Sequence, residues 1–178
     1  IDVDITPSNP VICIGESVEL SIEFNTPSII DMSYIGLFNS KLYYRSNTTS
    51  SFLASLNRIT PYGGDFASIH SQEENNWVRS RLLSTFYWIG FNDIVNEGSW
   101  VWTDGTLVDF TNWQPPNPDN AGNEDAAYML TNGRWNDAPI TGLHRSVYVL
   151  SLSPPTIFWS TGETSETITV SPSVTTDY

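Results

Sequence analysis

Cysteine is nearly absent: Cys13 stands alone in 178 residues and cannot close an intrachain disulfide. Basic residues are scarce as well. Seven Lys and Arg against 20 Asp and Glu leave a formal charge of −13. Such a chain repels nucleic acid phosphates and anionic lipid, so no nucleic acid partner is expected. No run approaches about 18 consecutive apolar residues, so no membrane insertion is expected either. His70 and His144 lie far apart in sequence, and the adjacent His70-Ser71 pair is a poor start for a nucleophilic triad. Gly63-Gly64 lacks the Lys and Ser or Thr partners of a phosphate loop. Paired Asp and Glu can hydrolyse glycosides, but no activated nucleophile accompanies them here. The chain therefore reads as a binding protein and not an enzyme.

What the chain does have is apolar and aromatic residues, 39% and 13% of the total, enough for a compact core and a small second unit. Tyr34 to Tyr44 reads as one opening strand, with Ile35, Leu37, Leu42 and Tyr43 as its apolar positions. Phe52, Leu56 and Ile59 fall at helical spacing and predict a first helix over Thr48 to Thr60. Ser71-Gln72-Glu73-Glu74 fits a capping box and starts a second helix over Ser71 to Leu83, with Trp77, Val78 and Leu82 facing inward. Gly63-Gly64 supplies the backbone freedom for the turn between them. Val147 to Leu150 reads as a final strand.

The richest chemistry lies in a scatter of oxygen-bearing side chains: Asn117-Pro118-Asp119, Glu124-Asp125 and Trp135-Asn136-Asp137. Carboxylates and amides are the hard donors that calcium takes in sets of about six to eight. Neither His nor Cys is among them, which argues against zinc and copper. A cis bond before Pro118 would aim Asn117 and Asp119 at one point. Trp135 would anchor Asn136-Asp137 by burying its ring behind them.

These elements also occur in a telling order. Trp88-Ile89-Gly90-Phe91, Asp93, Glu97-Gly98, Trp100, Trp102, Asp104-Gly105, Asn112-Trp113, Asn117-Pro118-Asp119, Glu124-Asp125 and Trp135-Asn136-Asp137 together resemble the core of a C-type lectin domain. Any one piece recurs by chance, whereas the whole series in sequence does not. The resemblance implies an α+β, C-type lectin-like fold with two helices, antiparallel sheets and a long calcium-binding loop region, the final strand pairing with the opening one. It also implies that Asn117, Asp119, Glu124, Asn136 and Asp137 ligate a primary calcium, with the Asp137 carbonyl as a further donor. The open coordination positions would take two neighbouring sugar hydroxyls, which the same side chains hydrogen-bond. Asp93, Glu97, Asn120, Glu124 and Asp125 match an auxiliary calcium site of some relatives, Glu124 being shared; the alternative is that Asp93 and Glu97 merely solvate a loop. Asp104-Gly105 reads as a turn.

In the family, an amide before the Pro and an acid after it go with galactose-type sugars, so Asn117-Pro118-Asp119 implies a galactose-type preference. Asn117 is one methylene shorter than the usual Gln, and Asn120-Ala121-Gly122 offers no aromatic ring to a sugar. Animal members commonly link a Cys after the Glu-Asp pair to one after the Trp-Asn-Asp. Here those positions are Ala126 and Ile140, a departure that points to a bacterial or otherwise atypical source. The missing bridge is worth a few kcal/mol, which core packing and calcium must supply.

The flanks carry a second pattern. Val18, Leu20, Ile22 and Phe24 alternate with polar residues, as in a half-buried strand, and Ile168 and Val170 do the same later. Ile157 and Trp159 alternate before a Gly162-Glu163 turn. Cys13-Ile14-Gly15-Glu16-Ser17-Val18 and the segment from Phe158 to Pro172 resemble the immunoglobulin-like repeats of large bacterial surface adhesins. The resemblance implies a lectin-like domain over residues 28–153 inserted into an Ig-like β-sandwich, whose two parts are residues 1–27 and 154–178 and whose core Trp is Trp159. Insertion needs adjacent termini, which paired first and last strands provide. The alternative is that both flanks are extra strands packed on the lectin domain. The expected function is a calcium-dependent carbohydrate-binding module of an extracellular, cell-surface adhesin, part of a larger multidomain protein. Its partners would be glycans, and the alternative is a lectin-like domain that binds protein or ice with calcium purely structural.

Overall fold

The computed structural model describes residues 3–6, 11–12, 17–24, 28–151, 167–170 and 176–177. The chain divides into two compact units, one comprising Ile1–Pro27 with Ser153–Tyr178 and the other Ser28–Leu152. In the first, β1 (Val3–Thr6), β2 (Val11–Ile12) and β3 (Val18–Phe24) come from the N-terminal part. Strands β12 (Thr167–Val170) and β13 (Thr176–Asp177) come from the C-terminal part. The alternating strand β3 pairs antiparallel with β1 on one side and with β12 on the other, Val18 lying opposite Val170. Strand β13 pairs with β2. Cys13 to Glu16, Trp159, Gly162-Glu163 and residues 25–27 and 152–156 lie outside the described residues.

The larger unit opens on a hairpin rather than on one strand. Strands β4 (Met32–Phe38) and β5 (Lys41–Ser46) are joined by Asn39 and Ser40, at φ 45° and 61°. Two successive positive φ values make the turn whose twist suits a two-residue hairpin. The expected single strand fails there because Asn-Ser carries a weaker turn signal than Asn-Gly. Helix α1 (Phe52–Ile59) and a 3₁₀ turn at Thr60–Tyr62 follow, four residues shorter at the start than the apolar spacing suggested. Gly63 then takes φ 70° to turn the chain. Next come β6 (Asp65–Phe66), helix α2 (Gln72–Arg81), β7 (Tyr87–Asn92), β8 (Val101–Trp102), β9 (Ala126–Met129), β10 (Trp135–Ala138) and β11 (Arg145–Ser151).

The sheet runs β10-β9-β7-β11-β5-β4, antiparallel except between β11 and β7, with β6 and β8 paired at its side. The last strand pairs with the hairpin, Tyr148 opposite Tyr44. Alternation along the strands sends successive residues to opposite faces. One face gathers Tyr43, Tyr87 and Val147 against Val78 and Leu82 of α2; the other gathers Tyr44, Trp88 and Tyr148 against Phe52 and Ile59 of α1. Strand β7 is buried along its whole length, which explains its unbroken apolar run. Gly90 sits at its centre, where an added Cβ would lie 2.7 Å from Thr103 Oγ1. Ala126 and Ile140, which replace the bridged cysteines of other members, both pack into the α1-side core.

The capping box forms in altered shape. Ser71 Oγ accepts from the Glu74 amide, but the Glu74 carboxylate accepts from the His70 amide instead of returning to Ser71. Its other oxygen accepts from the Tyr43 hydroxyl. Burial, and then that hydrogen bond, push the Tyr43 hydroxyl well above the ordinary tyrosine value. Glu74 is only 5% exposed, so Glu74→Ala leaves the Tyr43 hydroxyl and the His70 amide without an acceptor. A loss of about 1–3 kcal/mol is expected, read as a lower urea midpoint with unchanged slope.

Arginines are used on backbone. Arg45 donates to the Arg81 carbonyl, Arg79 to those of Thr131 and Leu83, Arg81 to that of Trp77 and Arg134 to that of Trp113. Arg81 also lies 3.9 Å over the Trp77 ring. Among the described residues no arginine or lysine lies within ion-pair distance of a carboxylate, the one such contact being His70 with Asp109 at 2.8 Å.

Candidate functional site

The site is built on β10 and the loop that leads to β9. Trp135 is fully buried and its indole N–H donates to Asn75 Oδ1 at 2.9 Å. Asn75, buried on α2, donates in turn to the Gly133 carbonyl at 3.0 Å, and Asn112 donates to that same carbonyl at 2.9 Å. The loop is zipped to β10 at Trp135, whose amide donates to the Asn112 carbonyl and whose carbonyl accepts from the Gln114 amide, both at 2.8 Å. Both helix α2 and the loop are thus fastened to the strand that carries Asn136 and Asp137. Asn75 lies 60 residues from Trp135, and within its polar run nothing marks it as more than a surface residue.

From this anchor the chain passes two cis bonds, Pro115-Pro116 and Asn117-Pro118. Asn117 contacts Asn136 by a short side-chain hydrogen bond. Asp137 is fully buried; its Oδ2 accepts from the amides of both Asp119 and Asn120 at 2.9 Å, while its buried Oδ1 has no hydrogen-bond partner. Asn120 and Asn123 take positive φ, and Asn120 Oδ1 caps the Glu124 amide at 2.7 Å. This turn brings one carboxylate oxygen each of Asp119, Glu124 and Asp137 within 4.8 Å of one another. The Asp137 carbonyl accepts from the Asn136 amide group.

Three carboxylates this close repel one another unless a cation lies between them. Desolvation first, and then the charges of Asp137 and Asp119, push the Glu124 carboxyl above its usual value, against the pull of the Ala121 amide. A buried carboxylate oxygen without a donor, beside a set of oxygens only, fits a hard divalent cation such as calcium.

The auxiliary residues also meet, more loosely. Asp93 is 2% exposed, with Oδ2 accepting from the Gly98 amide at 2.8 Å and Oδ1 unpartnered. Desolvation and the charges of Asp93 and Asp125 raise the surface carboxyl of Glu97, and the Asn120 side chain pulls it back. Asp125 accepts from Asn123 at 2.8 Å. Asp93, Glu97, Asn120 and Asp125 therefore share one neighbourhood, without the three-carboxylate convergence of the first cluster.

Asp104 is more than a turn. It accepts from Ser68 at 2.5 Å and from Thr106, tying the segment before α2 to the long loop. Beside it His70 lies between Asp109 at 2.8 Å and Thr106 at 3.2 Å. The row Asp109, His70, Thr106 has the outline of a triad, but the Thr106 hydroxyl donates to Asp104 at 2.6 Å and so offers His70 no proton to remove.

The family model for the lectin C-type domain matches residues 48–147. The mouse low affinity immunoglobulin epsilon Fc receptor is 35% identical over 102 residues, covering 57% of this chain and 31% of the receptor. An alpha-N-acetylgalactosamine-specific lectin of Patiria pectinifera is 46% identical over 84 residues, covering 42% of this chain and 50% of that lectin. The chain thus spans a third to a half of the length of these curated relatives. Among solved structures, the carbohydrate-recognition domain of the mouse scavenger receptor C-type lectin superposes with TM-score 0.64 at 27% identity, covering 71% of this chain and 98% of that one. A calcium-independent type II antifreeze protein superposes with TM-score 0.62 at 26% identity, over 70% and 95%. The helices on opposite faces of the sheet, the strand that closes on the opening hairpin and this match over the whole loop region agree, and the chain belongs to the C-type lectin domain family.

Proposed function

We propose that the chain is a calcium-dependent carbohydrate-binding module of an extracellular adhesin. The observation that carries this reading is the buried Asp137, whose Oδ2 holds two loop amides while Oδ1 faces the carboxylates of Asp119 and Glu124 without a donor. Asn117, Asp119, Glu124, Asn136 and Asp137 would hold the primary calcium, and Asp93, Glu97, Asn120 and Asp125, with Glu124, a second. When bound, the primary ion supplies open coordination positions to two neighbouring hydroxyls of a sugar. The chain's own amides and carboxylates then donate to and accept from those hydroxyls and so select their orientation. The site binds and releases.

A galactose-type preference is the finer reading. It rests on the amide-first order of Asn117-Pro118-Asp119, and a relative 46% identical is named as specific for alpha-N-acetylgalactosamine. An immunoglobulin-like frame for the lectin domain is supported by the pairing of β3 with β12, which joins the two flanks in one sheet. Several such modules along an adhesin would raise a weak single-site affinity through avidity, and the bacterial source remains part of this proposal.

The test is binding of the chain to a glycan array in calcium and in chelator. Galactose and N-acetylgalactosamine are expected to compete and mannose and fucose to be inert. Competition by mannose or fucose alone would overturn the preference. Calcium-insensitive adsorption to ice or protein, with no glycan bound, would replace the lectin reading by the one its antifreeze neighbour illustrates.

A further inference from the structure

Beside the calcium cluster, on the face of the sheet that carries Asn136, the chain exposes aromatic rings that the fold does not fully cover. Asn136 and Tyr128 are cross-strand partners, so their side chains emerge side by side. The Tyr128 hydroxyl interacts with the Asn136 side chain and lies in the field of Glu124 and Asp137. Its ring lies 4.5 Å from that of His144, at 31°, and 5.3 Å from that of Phe86. Trp88 backs both Tyr128 and His144 edge-on from the core. Phe86 is 38% exposed, and Tyr128 and His144 are half-buried. Burial holds the His144 ring below its ordinary value, which favours the uncharged form.

We infer that Tyr128, Phe86 and His144 form a platform for the apolar face of a second sugar ring, in an oligosaccharide whose terminal residue occupies the calcium site at Asn136. This inference rests on the calcium-dependent lectin reading and extends it from a monosaccharide to a glycan of at least two residues. Sugar rings present one face of C–H groups, which pack on aromatic surface. The segment Asn120-Ala121-Gly122 lacks an aromatic residue, and the platform lies on β9 and its neighbours instead. Continuity decides the occupant: Tyr128 touches the side chain that would hold the first sugar, so the ring reached next is the one linked to it.

The experiment compares methyl galactoside with a panel of galactose-terminated disaccharides of different linkage, by calorimetry on the whole chain in saturating calcium. At least one disaccharide is expected to bind about tenfold tighter than the methyl glycoside, the scale of one good aromatic contact. Phe86→Ala should erase that advantage while calcium and methyl galactoside binding stay at the native level. Tyr128→Phe should retain the ring contact. Equal affinity for methyl galactoside and every disaccharide would overturn the platform and leave the lectin reading standing, as would an undiminished advantage in Phe86→Ala. Absence of methyl galactoside binding would overturn both.

Discussion

Asp137→Asn is expected to reduce calcium-dependent glycan binding by more than about a hundredfold, a loss of roughly 2.7 kcal/mol or more. The substitution is nearly isosteric. Its remaining oxygen can still accept from the Asp119 and Asn120 amides, which Asp137 Oδ2 does at 2.9 Å. The amide group then stands where Oδ1 faced Asp119 and Glu124, presenting N–H to the cation and removing one of the three converging charges. Asp137→Ala makes a harsher comparison. It strips the loop of the acceptor for two amides and adds a destabilisation of about 1–3 kcal/mol. Near-ultraviolet circular dichroism on both variants separates loss of the ligand from loss of the loop. Undiminished glycan binding by Asp137→Asn would place the sugar elsewhere.

Removing calcium is expected to lower the melting temperature by roughly 5–10 °C. A ligand that binds only the folded chain at a hundredfold excess over Kd contributes about 2.7 kcal/mol, and for a chain of this size each kcal/mol moves the transition by about 2–4 °C. Identical calorimetric transitions in calcium and in EDTA would remove the metal from the account. The pH dependence has a definite sign. Glu124 is raised in the folded, metal-free chain, chiefly by desolvation and then by Asp137 and Asp119. As pH falls towards the carboxylate range, the metal-free fold takes up a proton there more readily than the unfolded chain and gains stability. Calcium must displace that proton and loses affinity. Both trends narrow the gap between the two melting curves on acidification.

How much of this was legible in the sequence depends on the range of the interaction. The ligand residues from Asn117 to Asp137 sit in one stretch with distinctive chemistry, and the folded chain gathers Asp119, Glu124 and Asp137. Helix α2 announced its start through Ser71 and Glu74, because a cap is a local bond. The hairpin turn at Asn39-Ser40 was missed, since those residues reach positive φ without the glycine that usually signals it. Asn75 was missed for a different reason. Its partners, Trp135 and Gly133, are set by how α2 docks on the sheet, and no local pattern encodes that. The same holds for Thr106 and Asp109 around His70, and for Phe86 beside Tyr128, all joined only by folding.

The arginines that donate to backbone carbonyls have an electrical consequence. Because among the described residues none of them sits on a carboxylate, the negative potential of a chain of formal charge −13 is left to mobile counterions. A field of that kind draws in divalent cations over distances set by the Debye length, about 10 Å in 0.1 M salt. Sodium chloride should therefore slow the capture of calcium far more than it speeds its release. The arriving ion is steered by the whole surface, while the departing one is held by a few oxygens at contact distance.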